Sequence, residues 1–228
     1  MTAGKEKIYI GACLAVDNLE LCQKFAAGHK NVLAAIRITV SSAPKGWFTD
    51  PNLVVVTVHR ESNRQIVRGV IIYMTGEGAN PLPFVTAISS IDPRINTLWE
   101  EHTLNRTAEL RALWNAEEVA HRGIGSYCMT SAGVALASKI GIGSLFALCA
   151  RHSYQISVEK CFEIQSSIGY DGKFYYPRLN LIATAIVIRE LDPLPTATDR
   201  EYEIRQNSRQ MRAEAVNQYQ LEVSLTLN

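Results

Sequence analysis

Glu109 and the glycine pair Gly123 and Gly125 are the residues of this chain whose types and spacing best suit chemistry. Residues 109–125 read ELRALWNAEEVAHRGIG: a strand-like stretch runs through a short acidic loop into Gly123-Ile124-Gly125-Ser126, which opens a helix rich in small residues. Glycines between a strand and a helix let the backbone approach a ligand, because without a Cβ successive N–H groups can point at it. The helix start adds unsatisfied amides and a partial positive charge, and together these bind anions. Arg122, directly ahead of the glycines, offers a side-chain contact to phosphate. A strand that ends at exposed amides beside such a helix can hold a pyrophosphate and an activated carbonyl together. That combination suits acyl transfer from a phosphopantetheine thioester. On its own, Gly-x-Gly also fits a purely structural role in which both glycines permit tight helix–strand packing.

Attack on an activated carbonyl by a nucleophile that carries a proton needs a proton acceptor. Glu109, on a central strand, would be desolvated enough to raise its pKa, and is the candidate base; the competing role is an ion pair with Arg111 or Arg106. His121 and His152 flank the groove as proton shuttles or as exposed, capping residues. Glu117 and Glu118 suit complementing the helix dipole. Cys149 lies in the apolar run Leu145-Phe146-Ala147-Leu148, which should bury the thiol and raise its pKa, so a covalent acyl-enzyme is not expected.

The elements that position these residues follow from the hydrophobic pattern. Residues 8–16 read as a strand and Asp17-Asn18 as the cap of one or two helices over 19–38, with a break near Gly28. Residues 53–59 and 65–75 form a β-hairpin, and 84–91 a further strand. Residues 92–106 are ambiguous, with Trp99 favouring a packed helix. The strand over 108–115 should place Leu110, Ala112 and Trp114 on one face and Glu109, Arg111, Leu113 and Asn115 on the other. A helix over 123–140, a buried strand over 144–150, a short helix over 153–160 and strands over 162–168 and 179–191 follow. The β-α-β-α stretch near 109–160 implies parallel pairing within a mixed sheet.

Among 228 residues, 47% hydrophobic and 20% charged describe a folded globular chain. Composition changes after Asp192-Pro193-Leu194-Pro195, which divides the chain into a domain at 1–192 and an extension at 193–228. Residues 198–218 read as an Arg- and Glu-rich helix and 220–227 as a strand; the extension is a solvated face or a homodimer clamp. A net charge of +1 lacks the broad positive footprint of nucleic-acid binding. Five scattered cysteines without a CxxC pair indicate neither a zinc site nor a disulfide framework, and free thiols point to a reducing, cytoplasmic setting. No signal peptide is expected, nor a stretch near the ~20 apolar residues that cross a bilayer.

Residues 109–125 resemble, without a gap, the acyl-CoA-binding segment of the GNAT superfamily of N-acetyltransferases. That segment reads strand, Leu-x-Val, acidic loop, then Arg/Gln-x-x-Gly-x-Gly/Ala. Here Leu113-Trp114-Asn115 fills the strand end, Glu117-Glu118 the loop, and Gly123-Ile124-Gly125 the glycines. Ala120 stands at the leading Arg/Gln and Asn115 at the usual Val, with Arg122 available to compensate.

The resemblance implies an α/β (α+β) fold with a mixed, strongly twisted central sheet and helices on both faces. It implies an acyltransferase taking acetyl-CoA, acyl-CoA or acyl carrier protein as donor and a small-molecule amine as acceptor, with no metal. The donor would be held by Leu113, Trp114, Asn115, Arg122, Gly123, Ile124, Gly125 and Ser126, a strand-end amide polarising the carbonyl. Glu109 lies at the same distance before the glycines as the catalytic Glu of the histone-acetyltransferase branch. The Tyr that protonates the departing thiolate aligns with Ser157, one helical turn after Tyr154, which is the candidate acid. The rival readings are a long-chain N-acyl amino acid or acyl-homoserine-lactone synthase and a non-catalytic CoA-binding sensor or interaction module. A nucleotide-binding α/β protein fits less well, for want of GxGxxG spacing or a Lys-Ser/Thr pair.

Overall fold

Residues 53–58, LVVVTV, are β-branched after Leu53 and lack a polar–apolar alternation, and every one of them is buried, as in a strand covered on both faces. This strand is central to a mixed α/β architecture, seen in a computed structural model that describes residues 8–35, 46–60, 62–75, 81–103, 106–119, 126–150, 153, 154, 157, 160–176, 181–191 and 219–221. In chain order the elements are β1 (Ile8–Leu14), α1 (Leu19–Ala35), β2 (Leu53–Arg60), β3 (Ile66–Met74), α2 (Pro83–Ser89), α3 (Arg94–Thr103), β4 (Thr107–Asn115), α4 (Ser126–Lys139), β5 (Ser144–Ala150), β6 (Glu163–Ile164), β7 (Lys173–Tyr176), β8 (Leu181–Ile188) and β9 (Tyr219–Leu221).

All nine described strands join one sheet in the order β6-β8-β5-β4-β3-β2-β1-β9, with β7 also on β8. β1 to β4 pair antiparallel in sequence, β4 and β5 pair parallel, and β8 returns antiparallel to β5. Helix α4 covers one face, where Met129, Ala132, Val134 and Leu136 pack on Val56, Val70, Ile72, Leu110 and Leu145. The other face carries α1, through Phe25 and Cys22 on Val55, Ile71 and Trp114, and the α2–α3 pair, through Phe84, Ile88 and Leu98 on Phe146 and Val187.

Several local expectations change. Residues 84–91 are not a strand: Pro83 begins helix α2, and Phe84, Val85 and Ile88 form a buried face at helical spacing. Helix α1, capped by Asn18 Oδ1 on the Leu21 N–H at 2.9 Å, runs unbroken through Gly28. A Cβ at Gly28 would lie 2.3 Å from the Trp114 ring, so this glycine serves close packing rather than a break. Within 162–168 only Glu163–Ile164 is strand, and a turn follows. β9 adds to the outer edge of β1. The expected helix over 198–218 lies outside the described residues, as does the boundary at 192–193.

Candidate functional site

β4 and β5 start together and then part. Thr107–Glu109 pair with Ser144–Phe146, and the pairing is closed off at its lower end by Thr107 Oγ1 and Ser144 Oγ at 2.8 Å. Beyond Glu109 and Phe146 the ladder stops, although β4 continues to Asn115 and β5 to Ala150. Each strand keeps its outer partner, β3 for β4 and β8 for β5. The two inner edges therefore face each other across a wedge without strand pairing among the described residues. Backbone N–H and C=O groups along such a wedge need hydrogen-bond partners, which water or a ligand with donors and acceptors of its own can supply.

A bulge bends β4 inside this wedge. Gly69 pairs with Trp114 and Ile71 with Arg111, so Val70 alone opposes Ala112 and Leu113. Ala112 takes φ +52°, a left-handed conformation that costs a non-glycine residue roughly 1–2 kcal/mol. The extra residue corrects the expected alternation. Trp114 crosses to the face of Ala112 and Ala116, beneath α1, while Leu110 and Leu113 pack toward α4. Trp114 is 3% exposed, edge-on to Phe25 at 5.8 Å, and its Nε1 has no hydrogen-bond partner among the described residues.

On the α1–α2 face, the last paired position of the wedge carries Glu109, between Tyr73 of β3 and Phe146 of β5. Glu109 is 5% exposed, and its Oε2 accepts the Phe84 N–H of α2 at 2.9 Å. Burial raises its pKa above the ordinary carboxylate value, against the opposing pull of the Arg111 charge and the Phe84 amide. Tyr73 donates its hydroxyl to Asp50 Oδ2 at 2.7 Å, and burial together with that carboxylate pushes the phenol up to about 12. His29 of α1 is held below its usual pKa by burial and then by Arg111. Arg111 shares the face of Glu109 one strand repeat further into the wedge.

The α4 face holds the other components. Tyr154, just beyond β5, packs partly buried against the cluster that contains Cys149, as Leu113 does. Ser157, in the aligned Tyr slot, donates Oγ to the Ser153 carbonyl at 3.0 Å. Burial pushes the Cys149 thiol up to about 11, which leaves it a poor nucleophile. Asn115, at the strand end, accepts from Arg68 Nη1 at 3.0 Å, and Arg68 Nη2 donates to the Val119 carbonyl at 2.6 Å. Arg68 is 2% exposed. Its signal in the sequence was a lone cation inside the apolar strand IVRGVIIYM.

The wedge thus brings Glu109, Leu113 and Asn115 onto one strand, with Tyr154 following the facing strand and Trp114 packed below as core. Arg122, Gly123, Ile124 and Gly125 lie outside the described residues, as do His121 and His152. Ser126 is the first residue of α4, and its side chain is likewise outside the description.

No protein-family model matches this chain, and no curated protein matches it by sequence. Solved structures match it by fold. FeeM, an N-acyl amino acid synthase from uncultured soil microbes, superposes with a TM-score of 0.62 at 10% identity, covering 81% of this chain and 90% of its own. MesI, a CoA-dependent acyl-homoserine lactone synthase, gives 0.55 at 11% identity over 90% of this chain and 96% of that one. An acyl-CoA N-acyltransferase from Pseudomonas aeruginosa gives 0.54 at 7% identity over 79% and 98%. The likeness at these identities is one of fold, and the fold is the GNAT type that the resemblance of residues 109–125 implied.

Proposed function

We propose that this protein is an N-acyltransferase that moves an acyl group from an acyl-CoA thioester to an amine by direct attack. The observation that carries the proposal is the wedge between β4 and β5, with a strained bulge on one wall and a buried carboxylate at its closed end. A thioester passing through the wedge meets the two faces of the sheet differently. The amine approaches on the α1–α2 face, where Glu109 stands; the carrier arm leaves on the α4 face, where Tyr154 packs.

In the reaction the amine nitrogen bonds to the acyl carbon and the C–S bond breaks. Glu109 takes the proton lost by the nitrogen, and the Tyr154 hydroxyl gives one to the departing sulfur. An amide of Leu113–Asn115 stabilises the oxyanion, a contribution of about 3–4 kcal/mol to the barrier. The amides of Gly123, Ile124, Gly125 and Ser126 and the side chain of Arg122 hold the pyrophosphate. Burial suits Glu109 to this role, because a raised pKa brings a carboxylate closer to the amine it must deprotonate.

A second reading narrows the acceptor. Arg111 and Glu109 project from the same face of β4, which suits an acceptor carrying a carboxylate beside its amine, as in an N-acyl amino acid synthase such as FeeM. Release of free CoA thiol, followed with acetyl-CoA and dodecanoyl-CoA against amino acids, polyamines and peptides, tests both readings. Transfer to amino acids from the long-chain donor supports the second. CoA binding without thiol release across the panel makes the protein a sensor and sinks the enzymatic proposal.

A further inference from the structure

We infer that Tyr73 is a second contact of the acceptor nitrogen, its phenol oxygen accepting an N–H of the amine while Glu109 takes the proton, an assignment that rests on the acyltransferase reading above. Glu109 is closed in on two sides. Phe146, its partner on β5, and Phe84, whose amide it accepts, are 1% and 2% exposed, with their rings stacked at 4.9 Å. Its partner on β3 is Tyr73, which is half-buried. Residues paired in this way stand side by side on one face, with Cβ atoms about 5 Å apart. Tyr73 also packs against both apolar clusters of that face, the one under α1 and the one under α2 and α3, so it occupies the seam between them. An amine that reaches Glu109 along the seam passes the phenol.

A phenol has one proton to give and lone pairs with which to accept. The proton of Tyr73 is committed, since its hydroxyl donates to Asp50 Oδ2 at 2.7 Å, and Asp50 is itself fixed by the Asn52 N–H on Oδ1 at 2.9 Å. Burial, then the hydrogen bond and charge of Asp50, push the phenol up to about 12, so it stays protonated and leaves the role of base to Glu109. The charges of Arg111 and Glu109 also bear on it, which sets the three side chains around one space. What Tyr73 offers a ligand there is oxygen lone pairs, enriched by the carboxylate behind them. A primary amine matches both neighbours. Its lone pair forms the bond to the acyl carbon, one proton passes to Glu109, and the remaining N–H, the amide N–H of the product, is held by Tyr73. A secondary amine or an alcohol has no second hydrogen for that contact, so the pair selects primary amines.

The test sets Tyr73→Phe beside Asp50→Asn, with acetyl-CoA and dodecanoyl-CoA as donors and glycine, leucine and spermidine as acceptors. In Tyr73→Phe, kcat/KM for the amine is expected to fall on the order of tenfold, the size of one lost hydrogen bond. The donor KM and the calorimetric affinity for CoA are expected to stay at wild-type values. Asp50→Asn keeps the tie between the two side chains but reverses it. Its oxygen stays on the Asn52 amide and its new NH2 donates to the phenol, whose own proton then turns toward the amine. It is expected to lose as much as Tyr73→Phe, whereas a merely structural tie would leave it at the wild-type rate. No loss in Tyr73→Phe, a wild-type rate in Asp50→Asn, or a matching rise in donor KM each overturn the inference and leave the acyltransferase reading standing. A wild-type protein that acylates none of the three amines overturns both.

Discussion

Replacing Gly28 with Ala sets helix propensity against packing, and the structure says packing wins. In an exposed helix the change would stabilise by about 1 kcal/mol, the ordinary advantage of Ala over Gly. At position 28 the new methyl would stand 2.3, 2.6 and 2.9 Å from three atoms of the Trp114 six-membered ring. A flexible side chain would swing aside, but this ring is closed in by the edge contact with Phe25 at 5.8 Å and by Gly69, whose own Cβ position is 3.0 Å from Trp114 Nε1. Overpacking of a rigid site costs up to about 3 kcal/mol. Subtracting the propensity gain leaves a net destabilisation of about 2 kcal/mol, or roughly 4–8 °C in Tm for a chain of this size. Urea unfolding followed by tryptophan fluorescence reads the shift in midpoint. Because Trp114 stands next to the β4 bulge, the same variant should also lose affinity for CoA. A Gly28→Ala protein at least as stable as the wild type would refute the packing argument and with it the reason α1 runs through a glycine.

Glu109→Gln should lower kcat by at least about a hundredfold with donor KM unchanged, and should remove the acid limb of the pH profile. That limb lies above the ordinary carboxylate range in the wild type, because burial raises the pKa of Glu109. The same shift acts on stability. The folded chain holds this proton more tightly than the unfolded one, so stability falls as pH climbs from the ordinary carboxylate value through the raised one. Melting temperature followed across that window should show a shallower fall for Glu109→Gln. Asp92 behaves oppositely: hydrogen bonds from Arg94, then the Gly169 N–H, hold its carboxyl well below the usual range. Its contribution is present above the unfolded pKa and disappears as pH falls through the depressed one. Asp92→Asn should therefore lose about 1–3 kcal/mol at neutral pH and converge with the wild type in acid, as read by denaturant midpoints. Ala112→Gly relieves the positive φ and should stabilise by about 1 kcal/mol, measured the same way.

The wedge-forming strands were legible because the alternation over 108–115, the apolar run over 144–150 and the β-α-β order of residues 109–150 admit few arrangements, and the parallel pairing of β4 with β5 followed directly. The bulge was not. Nothing in ELRALWN marks Ala112 for a left-handed conformation that glycine usually takes, and without the extra residue strict alternation puts Trp114 with Leu110 on the wrong face. Residues 84–91 were misread because a short apolar run carries no period of its own; Pro83 at its start was the better guide. Burial of Glu109 was foreseeable from its strand, whereas its partner was not, since only the folded chain brings the Phe84 amide beside it. Arg68 stood in plain view as the one cation of β3, but two of its partners lie 47 and 51 residues away.

Binding of an acyl-CoA thioether analogue, which cannot be turned over, tests the place of the donor most directly when followed by backbone amide NMR. Occupation of the wedge predicts the largest shifts at Leu113–Asn115 on β4 and at Ala147–Ala150 on β5, with Thr107 and Ser144 at the paired end little changed. Shifts confined to the paired end or to the β1 edge, with Leu113–Asn115 unmoved at saturation, would contradict it.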